Sequence, residues 1–572
     1  MKHVLNFNSL SAGDARRFDS IVDEVKADYH DLVARLRDAA DNSIFWQVSN
    51  LLSRNNYISS LFYDLCCLAM VQQAEARHPL DLVIVKTQSQ KKTLDRYFKA
   101  CSRHTRVVSS ATFRDNLKRV FKPVYDILRN FHWSLVYLGV KSAQRKRRIP
   151  RGIPITLVDT FFSAYIFKSG AFKERYYTGL TGFLTPEEQQ RIFFVPNVIT
   201  WRNLKRILRL SEQARENFLY PFDFLRVQDY LFALSAPVMI RRINLDNFRF
   251  RGINISYLLK SDFRYNIALR TSFRGILFYR FFRRLRQDGV SLRLVVDWFE
   301  NHVVDKGFNK GKNEFFSTTP SIGYQGLIAA YKWNFHVQPT EAEARAGVLP
   351  QKMAVIGTGL TGVARQFYPG LDVIVAPGLR FSDLYKRDVK PADRFNSASP
   401  TLLVALPIWA EDSLDILKLL VQAADVLEAR HARVWIKPHP SLDYDAVLSG
   451  LGALPPCFST VEGDFPVLAA SADLLVSTGS TVCMESIAYG IPVIVVGSRR
   501  HITKNIIPET IPKTIWELCH DRDELVAALS RLCFDLDKPG RDALYKLATS
   551  VRADYFKPVT RKDVKALLGL GR

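Results

Sequence analysis

Arg433-Val-Trp-Ile-Lys-Pro-His-Pro440 and Asp473-Leu-Leu-Val-Ser-Thr-Gly-Ser-Thr481 share one design: a short apolar run that ends in a polar turn. Apolar runs this short and continuous fit strands buried on both faces, as in a parallel sheet. The turns then emerge at the carboxyl edge of the sheet, where open α/β sheets place their ligands. Lys437 and His439 bring charge or N–H donors to a phosphate, and Pro438 and Pro440 stiffen the turn that carries them. Ser477, Thr478, Gly479, Ser480 and Thr481 precede an apolar helix read from Val482. Free N–H groups at a helix start, a glycine and four hydroxyls make an anion cradle there. The bland alternatives are a basic surface turn for the first segment and a helix cap for the second. Glu485 lies one helical turn past Thr481 on the same face, where a carboxylate suits a ribose diol or serves structure alone.

Working outward, Met353–Ile356, Asp372–Ala376, Thr401–Leu406 and Pro492–Val496 are further short apolar runs. Helical stretches such as Leu414–Glu428 separate several of them, which predicts βαβ units and a doubly wound parallel sheet. Towards the amino terminus, Asp81–Lys86, Ile155–Asp159 and Leu292–Asp297 read as strands. Roughly the first 80 residues read as helical, with Phe18, Ile21, Val22 and Val25 at helical spacing. The amino-terminal half is therefore expected to pack helices on a parallel sheet, with extra helices at its start. Leu292–Asp297 leads into Trp298-Phe-Glu-Asn-His302 and a glycine-bearing segment, Lys306–Gly311, read as a loop. The composition turns to loop at Gly347–Pro350, which places the boundary between domains 1–350 and 351–572.

A chain of 572 residues exceeds what one hydrophobic core supports. Hydrophobic, charged and aromatic contents of 47%, 24% and 12% describe a globular protein and exclude a disordered or fibrous one. The net charge of +24, from 80 Lys and Arg against 56 Asp and Glu, calls for a polyanionic neighbour: nucleic acid, anionic membrane or phosphate-bearing substrate. Two basic stretches, Arg145–Arg148 with Arg151 and Arg280–Arg286, fit either a solvated face or docking to anionic headgroups or a lipid-linked pyrophosphate. Nucleic-acid binding is disfavoured because aromatics such as Phe161 and Phe162 lie in apolar runs rather than among basic residues. The seven cysteines show no zinc or C-x-x-C spacing and read as reduced core thiols. Asn6, Asn8 and Ser9 interrupt the residues that follow Met1-Lys-His3, so a signal peptide is not expected and a cytoplasmic location is. Ile58–Val71 and Phe131–Val140 fall short of the roughly 20 apolar residues of a membrane span.

The succession Lys437–Pro440, Ser477–Thr481 and Glu485-Ser-Ile-Ala-Tyr-Gly-Ile-Pro-Val-Ile494 is similar to the donor-binding half of bacterial GT-B enzymes that make surface carbohydrates, among them sialyltransferases, Kdo transferases and polyglycerol-phosphate synthases. Asp297–His302, Asp305-Lys-Gly307, Gly323-Tyr-Gln-Gly326 and Gly347–Pro350 extend the resemblance over essentially the whole chain, to surface carbohydrate biosynthesis proteins. The resemblance implies two Rossmann-like domains whose parallel sheets face a central cleft. It further implies that His439 and Pro440, with Ser477 and Thr478 or with Ser480 and Thr481, hold the phosphate and ribose of a CMP-linked sugar. That nucleotide sugar is a co-substrate, and no other cofactor is expected. The acceptor is then a surface glycan or its lipid-linked precursor at the anionic inner membrane. A CDP-polyol phosphotransferase is the alternative. The acidic-pair-and-glycine motif that supplies the base in many bacterial sialyltransferases is absent here, which leaves Glu300 as first candidate base and Asp159 as second. Helix capping or ion pairing accounts for either one equally well. Lys437, His439 and the Ser477–Thr481 cradle would stabilise the departing phosphate without a metal ion. Asn301, beside Glu300, and Gln325, in a Gly323–Gly326 segment read as a loop or turn, are placed at the cleft.

Overall fold

A computed structural model describes residues 3–142, 145–146, 149–150, 152–162, 172, 174–199, 204–328, 333–386, 388 and 399–570. The chain starts with a small parallel sheet of β1 (Val4–Asn6), β2 (Leu82–Val85) and β3 (Arg106–Ser109). The helices Ala12–Asp38 and Leu61–Arg77 pack there through Phe18, Ile21, Val22, Val25 and Leu65. The expected amino-terminal helices are present, but Asp81–Lys86 belongs to this separate sheet rather than to the main one.

The main amino-terminal sheet contains β4 (Ile155–Phe162), β5 (Ile192–Val198) and β6 (Asn217–Phe218). After a short antiparallel ribbon, β7 (Arg249–Phe250) and β8 (Ile253–Asn254), the sheet continues with β9 (Leu292–Trp298), β10 (Ser321–Gln325), β11 (Lys352–Val355) and β12 (Val373–Val375). Its order is β12-β11-β10-β9-β4-β5-β6 and every pairing is parallel. β11 and β12, assigned by sequence to the second domain, are thus hydrogen-bonded into the first sheet. The sheets change between β12 and Thr401, not at residue 350, because the loop at Gly347–Pro350 is only the connection from β10 to its neighbour.

The second sheet holds β13 (Thr401–Ala405), β14 (Arg433–Lys437), β15 (Phe458–Thr460), β16 (Leu474–Ser477), β17 (Val493–Val496) and β18 (Trp516–Cys519). Its order, β15-β14-β13-β16-β17-β18, is that of a doubly wound parallel sheet. β13, β16 and β17 are buried along their whole length, as continuous aliphatic runs require. The helical stretch expected at Leu414–Glu428 is two helices, Ala410–Gln422 and Ala424–Ala429. One apolar cluster runs from Val158 and Val296 of the first sheet to Leu475 and Val495 of the second. The chain then returns: Lys557 N–H donates to Ile356 O at 2.6 Å, and the Arg293 guanidinium donates to Leu568 O and Gly569 O, both at 2.9 Å. The α/β class and the pair of Rossmann-like parallel sheets therefore stand as read.

Two glycine-bearing segments differ from their sequence reading for one steric reason. Lys306–Gly311 is not a loop; it lies inside the helix Val303–Phe315. A Cβ on Gly307 would come within 2.0 Å of Gly275 O, and one on Gly311 within 2.8 Å of the Tyr279 Cα. These glycines let the helix touch the backbone of its neighbour, Arg270–Gln287. Gly323 likewise lies in β10, where a Cβ would meet Pro350 at 2.6 Å and Met353 at 2.9 Å.

The basic stretches also resolve differently. Arg280 and Arg284 are buried and ion-paired to Asp229 at 2.6 and 2.7 Å, leaving only Arg283 and Arg286 exposed. Arg145 pairs with Asp223 at 2.8 Å, while Arg147, Arg148 and Arg151 lie outside the described residues. Cys101 is exposed and Cys457 half-buried, so the reading of all cysteines as core thiols holds for the other five. Among the described residues, no helix is long and apolar enough to cross a membrane.

Candidate functional site

Ala405, the last residue of β13, pairs with Lys437 on one side and Ser477 on the other. The two polar turns therefore leave the sheet as neighbours, flanking one strand end where the strand order reverses. This is the crevice in which doubly wound sheets bind ligands. Ser477 is fully buried and its Oγ donates to Ala405 O at 2.7 Å; Thr478 is buried and donates to Lys504 O at 3.4 Å. Those two hydroxyls hold the turn in place. Gly479, at φ +59°, faces Lys504, whose Cβ would lie 2.7 Å from an added Cβ, so only glycine fits without strain. Gly479, Ser480 and Thr481 remain partly open to solvent, as does Glu485 in the following helix Val482–Ala488.

Lys437 and His439 are half-buried and Pro440 is exposed. His439 Nδ1 accepts the Ser441 N–H at 3.1 Å, so Nε2 is the nitrogen left to meet a ligand. Burial, then the charges of Arg175 and Lys437, hold the imidazole below its usual 6.5. Arg175 follows β4 of the first sheet. The two halves meet beside these turns: Trp409, past the end of β13, stacks on Tyr57 with ring centroids 5.5 Å apart, and the Lys504 ammonium lies 3.7 Å from the Trp409 ring and 5.1 Å from that of Trp333.

The opposite wall is built at the end of β9. Asp305 Oδ2 accepts the N–H groups of Glu300 and His302, each at 3.0 Å, which folds Trp298–His302 into a tight turn ahead of the helix. Trp298 Nε1 donates to Glu300 Oε1 at 2.7 Å. Asn55 Nδ2 donates to His302 Nδ1 at 2.9 Å, so His302 Nε2 carries the proton and donates to Glu300 Oε2 at 2.9 Å. Burial opposes ionisation, yet the hydrogen bond and charge of His302, helped by Trp298 and Arg380, hold the Glu300 carboxyl below 4.5. His302 is lifted above 6.5 by Glu300 against its own burial. The Glu300 side chain keeps 26% of its surface exposed, enough to meet a hydroxyl.

Arg380 follows the end of β12 and is half-buried. Burial, then Arg175, lowers its pKa, while the carboxylates Glu485 and Glu300 counter. Burial raises Glu485, and Arg380 opposes that rise. Tyr176 places its ring 4.5 Å from that of Trp298, and burial lifts the neighbouring Glu174 carboxyl to about 7. The cleft thus alternates cations, Arg175, Arg380 and Lys437, with carboxylates, Glu300 and Glu485. Such a surface grips a small anion bearing hydroxyl groups.

Three of the expected site residues lie elsewhere. Asp159 is mid-strand, because β4 runs on to Phe162, and is 2% exposed beside Asp297 and Asp305; burial and Asp305 push its carboxyl well up. A carboxyl enclosed in this way cannot reach an acceptor in the cleft. Asn301 is buried at φ 55°, with Nδ2 donating to His336 O at 2.8 Å and Glu343 Oε2 at 3.2 Å, and so braces the turn from behind. Gln325 is the buried end of β10 and donates to Val337 O at 3.2 Å. Conversely, sequence reading missed Arg175, Tyr176 and Arg380. Only Arg380 carried a signal, as a cation just past an apolar strand.

No family model and no curated protein matches this sequence. Among solved structures, the chain is similar to the S. aureus MnaA–UDP co-structure at 11% identity, covering 73% of this chain and 98% of that one, with a TM-score of 0.41. It is similar to the wall teichoic acid polymerase TagF at 10% identity, covering 80% and 97%, with a TM-score of 0.37. It is also similar to the glycotransferase of kitacinnamycin at 14% identity, covering 74% and 97%, with a TM-score of 0.39.

Proposed function

We propose that this protein is a GT-B glycosyltransferase that grips the phosphate of a nucleotide sugar between its two sheets. One observation carries the reading: the turns bearing Lys437 and His439 and bearing Ser477–Thr481 leave the second sheet on either side of the end of β13, where Ala405 pairs with both Lys437 and Ser477. The open backbone and hydroxyls of Gly479–Thr481 complete the phosphate side, and Glu485 is placed for the ribose. The donor we infer is a CMP-activated ulosonate, on the strength of the paired turns; a CDP-polyol donor would use the same grip. In an inverting transfer, the acceptor oxygen bonds to the anomeric carbon while its proton passes to Glu300. The bond to the nucleotide phosphate breaks and its electron pair leaves with that phosphate. His439, Lys437 and the two arginines stabilise the departing charge without a divalent cation.

The test is nucleotide release from a panel of CMP-, CDP- and UDP-linked donors, in wild type and in His439→Ala. CMP release by the wild type, cut by about two orders of magnitude in the variant, is the expected outcome. Equal release by both proteins removes His439 from the mechanism. Activity lost to EDTA and restored by magnesium contradicts the metal-free grip. CMP release from a CDP-polyol donor, with the polyol phosphate passing to the acceptor and no release from CMP-linked sugars, establishes the phosphotransferase reading in place of the ulosonate one.

A further inference from the structure

The helix Phe113–Gly139 is apolar on the wrong side. Its inner face, carrying Asp126, Asn130, Trp133 and Tyr137, packs on the body of the protein. Its outer face presents Phe113 at 82% exposure, Leu117 at 44%, Val120 at 69%, Val124 at 54%, Leu128 at 63%, Phe131 at 51% and Leu135 at 53%. These recur every three or four residues and form a single stripe roughly 33 Å long at about 1.5 Å per residue. An ordinary surface helix turns such a stripe towards the core. The neighbouring helix Val227–Leu234 adds Leu231 at 61% exposure. Contiguous exposed apolar surface on this scale marks a contact site.

The charge along its border selects the occupant. Arg114 and Lys118 are exposed on one flank of the stripe, and neither is in an ion pair among the described residues. Cations beside a Phe- and Leu-bearing stripe are the composition of helices that lie in the interface of an anionic bilayer, where long basic side chains reach the headgroups. A second copy of this chain would bring one cationic flank against another, in a protein of net charge +24. The same helix contributes Asp115, Lys118 and Arg119 to the wall of a cavity of about 510 Å³ that also meets Lys86, Tyr57 and Trp333. A bilayer on the stripe therefore lies at the rim of that cavity.

We propose that the outer face of Phe113–Gly139 docks the protein on an anionic membrane surface. The docking face differs from both basic stretches singled out in the sequence and does not depend on the identity of the donor.

The test is flotation of the full-length protein with vesicles of phosphatidylglycerol and phosphatidylethanolamine in equal parts, against pure phosphatidylcholine. Wild type should float with the anionic vesicles and be released by salt. Val124→Glu/Leu128→Glu should weaken recovery at least about tenfold, since two carboxylates replace inserted apolar groups. Both positions are exposed, so the melting temperature of the variant should match wild type, and its nucleotide release with a soluble acceptor should be unchanged. Arg114→Gln/Lys118→Gln should keep the fold and reduce the salt sensitivity of binding. Failure of wild type to float, equal flotation of the Glu variant, or equal recovery with phosphatidylcholine overturns the proposal. So does a wild-type dimer in light scattering that the Glu variant dissolves while vesicles capture neither form.

Discussion

Replacing Glu343 by Gln removes the one anion from a buried cluster of cations under the Glu300–His302 turn. Glu343 is fully enclosed and ion-paired to Arg54 at 2.7 Å, Lys306 at 2.8 Å and Arg37 at 3.8 Å. Burial opposes its charge, yet Arg54, Lys306 and Arg37 together hold the carboxyl far below its usual range. In the variant, Lys306, already lowered to about 7 chiefly by burial, sheds its proton easily. Arg37 and Arg54 stay charged with no counter-ion. Breaking a buried pair from one side costs about 3–5 kcal/mol, which for a chain of 572 residues corresponds to a melting temperature lowered by roughly 2.5–4 °C. The effect has a defined pH course. The folded pKa of Glu343 lies below its unfolded value of 4.5, so its contribution is present above 4.5 and fades as pH falls through the folded pKa. Thermal melts near neutral pH should show the full difference, and melts well below 4.5 a smaller one. Lys352–Asp372, with side chains 53% and 51% exposed, is the control, and its removal should cost less than about 1 kcal/mol. A Glu343→Gln protein melting within a degree or two of wild type at neutral pH refutes the claim that this carboxylate neutralises the cluster.

Four further outcomes are expected. Gly307→Ala pushes a methyl group into Gly275 O and should destabilise by about 1–3 kcal/mol or more in urea unfolding, whereas Gly362→Ala, in a helix with open space around it, should be neutral or slightly stabilising. Gly479→Ala strains a left-handed turn against Lys504 and should weaken nucleotide binding about tenfold in calorimetry. The Glu300–His302 pair should support stability fully between 4.5 and 6.5, because the folded carboxyl lies below the first value and the folded imidazole above the second; the melting difference between wild type and His302→Gln should shrink on either side of that window. His439, held below 6.5, should charge only as pH falls past its lowered pKa, so CMP should bind wild type more tightly in acid and the gain should vanish in His439→Gln.

What the sequence discloses of this molecule follows strand ends. The strand-end positions of Lys437, His439, Ser477–Thr481 and Glu300 are legible because each ends or follows a run of apolar residues long enough to betray a strand. Asp159 was misplaced by the same logic applied one step early: Thr160, Phe161 and Phe162 continue the strand, so the carboxyl falls in its middle. Lys306–Gly311 and Gly323 were read as loops because glycine weakens helices and strands in isolation. The compensating gain, backbone contact with Gly275, Pro350 and Met353, comes from chain distant in sequence. Arg280 and Arg284 looked like a solvent face for a similar reason, since nothing local reveals that Asp229 neutralises both. β1, β3 and β6 are two to four residues long, too short to show a period.

The distribution of charge separates two tasks that net charge alone merges. A groove for a long polyanion needs unbroken cationic surface, with aromatic faces open for stacking. The cleft offers neither, because Glu300 and Glu485 interrupt Arg175, Arg380 and Lys437, and Tyr176 is packed on Trp298. Surplus positive charge lies outside the cleft, with Arg114 and Lys118 beside the apolar stripe of Phe113–Gly139. A cationic border next to apolar surface fits a bilayer far better than a nucleic-acid backbone, which has no apolar layer to receive Phe113 or Leu128.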